Sequence, residues 1–369
     1  MMNRGMICSK PFRFIEIIPN GNAYPCCPGW TLNGGFTFGN IYKNNFSDIW
    51  NGEEAQEFRR TILDGRYKYC NLSKCMAYHD NTEMNENEQI FFEKAEIKDR
   101  YKEVMDAYPL KVSLGHDPQC NAACTICREH KIINSAEKVK ELNSMIDPVF
   151  LPMLKGAKVV LGNFNGELFA SSHYRTLVKS IIVKYPDIKF IIVTNGQLCD
   201  KQNCDELGIT DKIENIRVSL NATTKKTHFK MMGNLDFNRI LKNIEWLSSL
   251  KRAGKINRLR LSTVICSYNY KEINDFIKLA QKLDADISLS KYEPNNPALD
   301  RCYKKLAVFE KSHSDYNKFV KIINKVRNRL HIDDHFFLAL GFRNLKLLTT
   351  LEWLEYKLKG EQYHGPKYF

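Results

Sequence analysis

Long apolar runs are missing from this sequence: no stretch approaches the roughly 20 uninterrupted apolar residues that a membrane-spanning helix requires, so no membrane span is expected. The start, Met1 to Lys10, carries a basic residue but lacks the apolar segment of a secretory signal, which points to a cytoplasmic protein. Contiguous blocks of one charge are missing too. The chain has 55 Lys and Arg against 42 Asp and Glu, a formal net charge of +13, but the lysines are scattered along helical patterns instead of forming a run. A solvated basic surface accounts for that spread, and the charge alone does not point to nucleic acid. With 369 residues the chain can bury one large core, or a core plus a small satellite domain.

Cysteine, by contrast, is abundant, with 12 residues. A reducing compartment does not keep disulfides, so clustered thiols there read as metal ligands or redox groups. Cys8, Cys26, Cys27, Cys70 and Cys75 lie early, and Cys120, Cys124 and Cys127 form a tight group. Cys199, Cys204, Cys266 and Cys302 are dispersed, and small buried hydrophobes are the default for such positions.

Residues 1–80 are rich in Gly, Pro, Asn and Cys. Phe12–Ile18 reads as a strand, Pro19-Asn20-Gly21-Asn22 as a turn and Ala23–Cys27 as the returning strand of a hairpin. Asp48 stands as N-cap before a helical pattern through Ile49, Trp50, Phe58, Ile62 and Leu63. So little apolar sequence needs a staple, and metal–thiolate bonds would supply one. Residues 81–109 read as a helical linker. Over 110–295, strands expected at Lys111–Leu114, Lys158–Leu161, Phe190–Val193, Ile216–Leu220, Leu259–Ile265 and Ile287–Leu289 alternate with helical patterns. Such alternation means a parallel sheet with crossover helices, here a partial (βα)6 TIM-like barrel of the α/β class. In such barrels functional groups follow the strands' C-terminal ends. Residues 296–369 read as a helical extension whose Leu345, Leu348, Leu351, Leu354 and Leu358 form a packing stripe.

Directly after the first of these six strands comes Gly115-His116-Asp117-Pro118-Gln119-Cys120-Asn121-Ala122-Ala123-Cys124-Thr125-Ile126-Cys127. Three neighbouring thiolates make a soft-metal site. A closed zinc site wants four ligands, whereas a cubane held by three leaves one iron open to another molecule. This C-x3-C-x2-C spacing resembles the signature of the radical S-adenosylmethionine superfamily. That resemblance implies a [4Fe-4S] cluster on Cys120, Cys124 and Cys127 whose open iron chelates S-adenosylmethionine. Asn165-Gly166-Glu167 is similar to the family's Gly-Gly-Glu motif, Thr194-Asn195-Gly196 to its Thr-Asn-Gly turn, and Ser219-Leu220-Asn221 to its Ser-x-Asp ribose contact. The resemblance therefore implies that Asn165, Gly166, Glu167, Thr194, Asn195, Ser219 and Asn221 bind the cofactor. Three positions depart from the pattern: Ile126 where an aromatic is usual, Asn165 for Gly and Asn221 for Asp.

The early cysteines, with Pro19-Asn20-Gly21 before Cys26 and Cys27, then Ile49-Trp50 and Arg59, resemble the SPASM/twitch auxiliary domain. That domain usually follows the barrel; here it would precede it. The resemblance implies a second [4Fe-4S] cluster on Cys8, Cys26, Cys70 and Cys75, with Cys27 able to replace Cys26. A four-thiolate set equally suits structural zinc.

Taken together, the resemblances imply an oxidoreductase-like enzyme that splits S-adenosylmethionine reductively and removes a substrate hydrogen with the resulting 5′-deoxyadenosyl radical. The electron would come from an external donor such as flavodoxin or ferredoxin. The favoured outcome is oxidation of a small polar metabolite of sugar or cyclitol type. Epimerisation or crosslinking of a ribosomal peptide is the alternative, and a metal-stabilised RNA-binding protein is the alternative of another class. Catalytic side chains are not identified by this pattern. Cys266 and Cys302 are candidates for hydrogen donation, and His116 for a substrate contact near the first cluster.

Overall fold

The computed structural model describes residues 6–32, 35–73, 75, 92–94, 101–162, 165–293 and 297–329. Two compact units share the chain. The first holds residues 1–119, 134–192 and 207–212; the second holds 120–133, 193–206 and 213–369.

The strands of the first unit are β1 (Met6–Cys8), β2 (Phe14–Ile17), β3 (Asn22–Tyr24), β4 (Gly39–Asn40), β5 (Phe92–Lys94), β6 (Lys111–Leu114), β7 (Val159–Gly162) and β8 (Lys189–Thr194), the last of which ends in the second unit. The expected hairpin forms, with Glu16 opposite Tyr24 and Ile17 opposite Ala23. Gly21 makes its turn at φ +83°, where a side chain is strained. Two helices follow, α1 (Phe46–Asn51) and α2 (Glu53–Leu63), separated at Gly52, where a Cβ would lie 2.1 Å from the Asp48 carbonyl oxygen. Parallel pairs β6–β7 and β7–β8 need crossovers, which run through α3 (Ala136–Ser144) and α4 (Ser172–Lys184). Ser171 caps α4 by accepting from the Tyr174 N–H, and Tyr174, Leu177, Val178 and Ile181 make its buried stripe.

In the second unit β9 (Ile213–Ser219), β10 (Arg258–Ile265) and β11 (Asp286–Lys291) are parallel. The helices α5 (Lys225–Met232) and α6 (Phe237–Arg252) link β9 to β10, and α7 (Ile273–Lys282) links β10 to β11. A last helix, α8, spans Tyr316–Arg329. Asp236 caps α6 with bonds from the Asn238 and Arg239 N–H groups, and Ile240, Ile244, Leu247 and Leu250 are its buried face. Along β10, Leu259, Leu261, Thr263 and Ile265 are buried, while Arg258, Arg260, Ser262 and Val264 are half-buried. The second face is therefore polar at three of four positions.

The architecture is thus mixed α/β with mostly parallel strands, as expected. It is open: among the described residues β4 pairs only with β3, and β11 only with β10. No described helix is long and apolar enough to cross a membrane.

Within the first unit β2 pairs in parallel with β6, Phe14 opposite Lys111 through Ile17 opposite Leu114. Two local expectations change. The described parts of 81–109 are not helical. Phe92–Lys94 pairs antiparallel with Met6–Cys8, and side chains of the α1–α2 region take the main chain of 103–107. Trp50 Nε1 donates to the Ala107 carbonyl at 2.8 Å, and Asn51 bonds both the N–H and the C=O of Met105 at 2.9 Å. Pro109 also disfavours helix at Tyr108. The cap of α1 is Asn45, whose Oδ1 accepts from the Asp48 N–H at 3.0 Å, so Asp48 sits one turn inside. The leucine stripe from 345 to 358 lies outside the described residues.

Arg59 ties these pieces together. It is fully buried, donates from Nε to the Pro11 carbonyl (2.9 Å) and from Nη1 to Asn51 Oδ1 (3.1 Å) and the Glu103 carbonyl (3.0 Å), and lies 4.4 Å over the Trp50 ring. Burial alone lowers its pKa to about 9, which leaves it charged at neutral pH. Replacing Arg59 by Ala takes a donor from the Pro11 and Glu103 carbonyls and from Asn51 Oδ1, which keeps the Met105 N–H, and opens a cavity, so Arg59→Ala is expected to lose about 3 kcal/mol or more of stability. Denaturant unfolding checks this; a loss under about 1 kcal/mol would mean the guanidinium is dispensable.

Candidate functional site

The two cysteine sets lie in different units. In the first unit, Cys8, Cys26, Cys70 and Cys75 line one cavity, whose remaining wall is largely hydrocarbon from Pro11, Trp30, Phe58, Ile62 and Leu72. Cys27 does not line it. The hairpin brings in Cys26, the end of β1 brings in Cys8, and an antiparallel bridge between Thr31 and Cys70 draws the loop after α2 alongside. The Tyr67 hydroxyl accepts from the Cys8 N–H at 3.2 Å, and the Cys75 N–H donates to the Asn71 carbonyl at 2.9 Å. Burial pushes the Cys8 thiol up to about 12, with Cys75 adding to the effect and the Lys10 N–H opposing it. Burial also raises Cys26 and Cys70, and their cysteine neighbours raise them further. Thiols so placed ionise together only around a multivalent cation, which fits a metal cluster. Among the described residues no three His, Cys, Asp or Glu side chains converge as around one ion; the thiols surround a cavity.

In the second unit, Cys120 is buried and Cys124 and Cys127 are half-buried. Their loop is fastened at both ends. The Cys120 N–H donates to the Ile132 carbonyl at 2.9 Å, and the Cys124 carbonyl accepts from the N–H groups of Cys127 and Arg128 at 2.9 and 3.0 Å. Between them Thr125 satisfies carbonyls that the end of α5 leaves open, donating from its N–H to Met231 (3.0 Å) and from Oγ1 to Lys230 (2.8 Å). The Arg128 guanidinium stands beside the thiols: burial lowers its pKa, but Cys127, Cys120 and Cys124 outweigh that and raise it. Three thiols and a neighbouring cation suit an anionic cluster.

The turn after β8 supports the same loop. The Gly196 N–H donates to Thr194 Oγ1 at 3.0 Å and the Gln197 N–H to Asn195 Oδ1 at 3.0 Å, while Asn195 Nδ2 donates to Asn121 Oδ1 at 2.8 Å. Gly196 has φ +80°, and a Cβ there would meet Val218 Cγ1 at 2.8 Å. The Thr-Asn-Gly turn therefore positions the cysteine loop, a role its spacing did not reveal.

The other motif residues divide. Ser219 Oγ accepts from Ser262 Oγ at 3.4 Å, and Ser219, Ser262 and Ser288 stand in one register across β9, β10 and β11. Asn221 is buried at φ +61° with both amide ends used, Oδ1 accepting from the Val264 N–H at 2.9 Å and Nδ2 contacting Met232 Sδ at 2.9 Å. These contacts tie Asn221 to β10 and to the end of α5. In the first unit, a Cβ on Gly166 would come within 2.6 Å of the Asp117 and Gln119 carbonyl oxygens, so this glycine serves the protein's own chain packing. Glu167 is buried with its N–H on the Gln119 carbonyl at 2.8 Å, and Asn165 Nδ2 points to the Gly115 carbonyl at 3.4 Å.

The structure places the three catalytic candidates, Cys266, Cys302 and His116, in different surroundings. Cys266 is fully buried with Sγ 3.3 Å from Met231 Sδ, and burial pushes its thiol up to about 11. Cys302 is half-buried in the helical turn Pro297–Cys302. His116 is a core residue, 1% exposed, stacked 4.2 Å from Phe150, with Nε2 2.8 Å from His173 Nε2. His173 Nδ1 reaches Asn143 Oδ1 at 2.9 Å, which makes His173 Nε2 the acceptor in the pair. Met231, Met232, Arg128 and Asn121 were not singled out by sequence reasoning; only Arg128, one residue after Cys127, carried a visible signal.

Residues 8–76 match the SPASM family model, an iron–sulfur cluster-binding domain. No curated protein matches the chain. Among solved structures it is similar to SuiB of Streptococcus suis bound to S-adenosylmethionine, with 18% identity, a TM-score of 0.40, and coverage of 74% of this chain and 59% of that one. It is also similar to anSMEcpe with bound AdoMet and the Cp18Cys peptide, at 16% identity, a TM-score of 0.36 and 58% of each chain. BtrN in complex with AdoMet and 2-DOIA is similar at 15% identity and a TM-score of 0.25, over 61% of this chain and 92% of that one. The chain thus spans about three fifths of the SuiB structure's length.

The buried histidine pair makes stability depend on pH. Burial favours the neutral rings, holding His173 at about 4 and His116 well below its ordinary 6.5, with each other's charge opposing protonation of His116. The unfolded chain takes up these protons near pH 6.5 and the folded one does not. This contribution is therefore complete above about 6.5 and is lost as pH falls toward 4. His173→Gln should flatten the fall in melting temperature over that interval; an unchanged slope would show that the pair does not cause it.

Proposed function

We propose that this chain is a radical S-adenosylmethionine enzyme with two [4Fe-4S] clusters, one on Cys120, Cys124 and Cys127 and an auxiliary one on Cys8, Cys26, Cys70 and Cys75. The carrying observation is the three-thiol loop after a parallel strand, fixed by Asn121–Asn195 and by Thr125 on the end of α5, with Arg128 beside it. For the second cluster the support is the cavity shared by four thiols, which includes Cys26 and not Cys27, within the segment that matches an iron–sulfur domain. Cys120, Cys124 and Cys127 would hold a cluster that, when bound, would supply the electron for reductive cleavage of the sulfonium C5′–S bond of S-adenosylmethionine and so start hydrogen abstraction from a substrate.

This chain's own residues bind and orient. The carbonyl-anchored loop carries the three cysteines, and a cubane held by three thiolates would keep one corner for the cofactor. Ser219, beside Ser262, offers a hydroxyl at a strand end, where relatives contact ribose; Asn221 buttresses that strand end from within. Glu167 supplies the carboxylate suited to the methionine ammonium.

The substrate class that fits is a small polar metabolite of sugar or cyclitol type, oxidised with the auxiliary cluster as electron acceptor. Its support is the polar face of β9, β10 and β11, which carries Arg217, Ser219, Arg260, Ser262, Ser288 and Ser290 in register. Such a face gives hydrogen bonds to hydroxyl groups instead of a hydrocarbon wall. An external flavodoxin- or ferredoxin-type donor would supply electrons to the first cluster.

Anaerobic reconstitution with iron and sulfide, followed by dithionite and S-adenosylmethionine, should yield 5′-deoxyadenosine. A Cys120/Cys124/Cys127→Ala variant should lose that product and about half of its iron. Zinc in place of iron at the loop, or an intact sulfonium under strong reductant, would refute the assignment. Turnover of a peptide but not of polyols would keep the enzyme class and replace the substrate.

A further inference from the structure

Among the described residues, one charged side chain lines the thiol-bearing cavity of the first unit. Lys10 lines it together with Cys8, Cys26, Cys70 and Cys75, and is only 8% exposed. Its ammonium lies 4.4 Å from the centre of the Trp30 ring and 4.7 Å from that of Phe14. A cation between two aromatic faces and shielded from water is held firmly, because the ring quadrupoles replace part of its lost hydration. The main chain fixes it as well. Lys10 opens the helical turn Lys10–Arg13, whose Pro11 carbonyl is gripped by buried Arg59, and the Lys10 N–H bonds the Cys8 thiol.

We propose that Lys10 is a positioning residue for electron transfer, whose caged charge raises the reduction potential of the auxiliary cluster. The proposal rests on the assignment of that cluster to the four thiols. A cluster held by four thiolates is already anionic, and gaining an electron adds one more negative charge inside a wall of low polarity. A fixed cation in that wall stabilises the reduced form more than the oxidised one, because Coulomb energy scales with the charge and is weakly screened there. The N–H on the Cys8 sulfur acts in the same direction, since net charge, hydrogen bonds to sulfur and solvent exposure set such potentials. In the oxidation proposed above, a substrate radical gives one electron to this cluster and one proton to a base, leaving the two-electron-oxidised product. Lys10 makes the electron's destination more favourable.

The test uses the full chain carrying Cys120/Cys124/Cys127→Ala, so that only the auxiliary cluster is observed, reconstituted anaerobically and titrated potentiometrically with electron paramagnetic resonance. Lys10→Met, which keeps the hydrocarbon stem, should shift the reduction equilibrium at least about tenfold toward the oxidised form, equal to about 59 mV for a one-electron couple. Lys10→Arg should stay close to the parent. Trp30→Leu, which opens the cage but keeps the charge, should move the equilibrium part of the way. Equal iron content with an unmoved potential in Lys10→Met overturns the proposal, as does a Lys10→Arg shift matching that of Lys10→Met. If Lys10→Met does not retain iron, the Trp30→Leu titration decides, and an unmoved potential there is also contrary. An iron-free parent would instead refute the cluster assignment itself.

Discussion

Gathering buried thiols in one place is unfavourable without a cation, and the N-terminal cysteine set of this chain meets that constraint. Cys8, Cys26 and Cys70 resist ionisation because burial removes water, and neighbouring cysteines add to the resistance. The cysteines therefore have to be held by groups that do not depend on the metal. At the N-terminal cavity those are the hairpin, the Thr31–Cys70 bridge, the Tyr67 hydroxyl and the Arg59 grip on Pro11. At the second loop they are Asn195 on Asn121 and Thr125 on the carbonyls ending α5. A cluster entering either place, as proposed above, would meet loops already fastened by the chain, so less of its binding energy would go to ordering them.

The two places differ in what they leave open. Four thiols around a largely hydrocarbon cavity would, in the reading proposed above, saturate a cubane and shield it, which suits storing or passing an electron. Three thiols on a half-exposed loop leave one corner without a cysteine, which suits binding a second molecule. Charge follows the same division. Lys10 is caged between Phe14 and Trp30 in the first place, and Arg128 stands beside three thiols in the second. Each cation offsets part of the negative charge that its thiolates would carry, and neither needs to move for that.

Much of this was legible from residue order. Period-two and period-3.6 patterns gave the strands from Lys111 to Leu289 and the α6 stripe, because one buried face is specified by every second or every third and fourth residue. The thiol spacing singled out Cys120, Cys124 and Cys127. What stayed hidden was long-range. Nothing local to Phe14–Ile17 says that it will pair in parallel with Lys111–Leu114, almost 100 residues later. Nothing in 101–109 announces that Trp50, Asn51 and Arg59 will take its backbone groups, and those tertiary bonds outweigh the helical pattern.

The motif residues carry a more general consequence. Gly166, Asn195 and Asn221 were singled out as cofactor contacts, and each is held by the protein's own atoms: Gly166 by the Asp117–Gln119 backbone, Asn195 by Asn121 and Gln197, Asn221 by Val264 and Met232. A site that must hold a cluster and a cofactor within a few tenths of an ångström needs supporting groups as constrained as the ligands themselves. A short motif at a strand end can therefore mark a residue that touches the ligand or one that holds the loop that does. Asn221 separates the two cases. Its φ of +61° and its two used amide ends fit an Asn as the buttress of β10, and an Asp there would set a carboxylate against the Met232 thioether in place of an N–H. An Asn at this position therefore fits the bonds that the chain itself makes to residue 221.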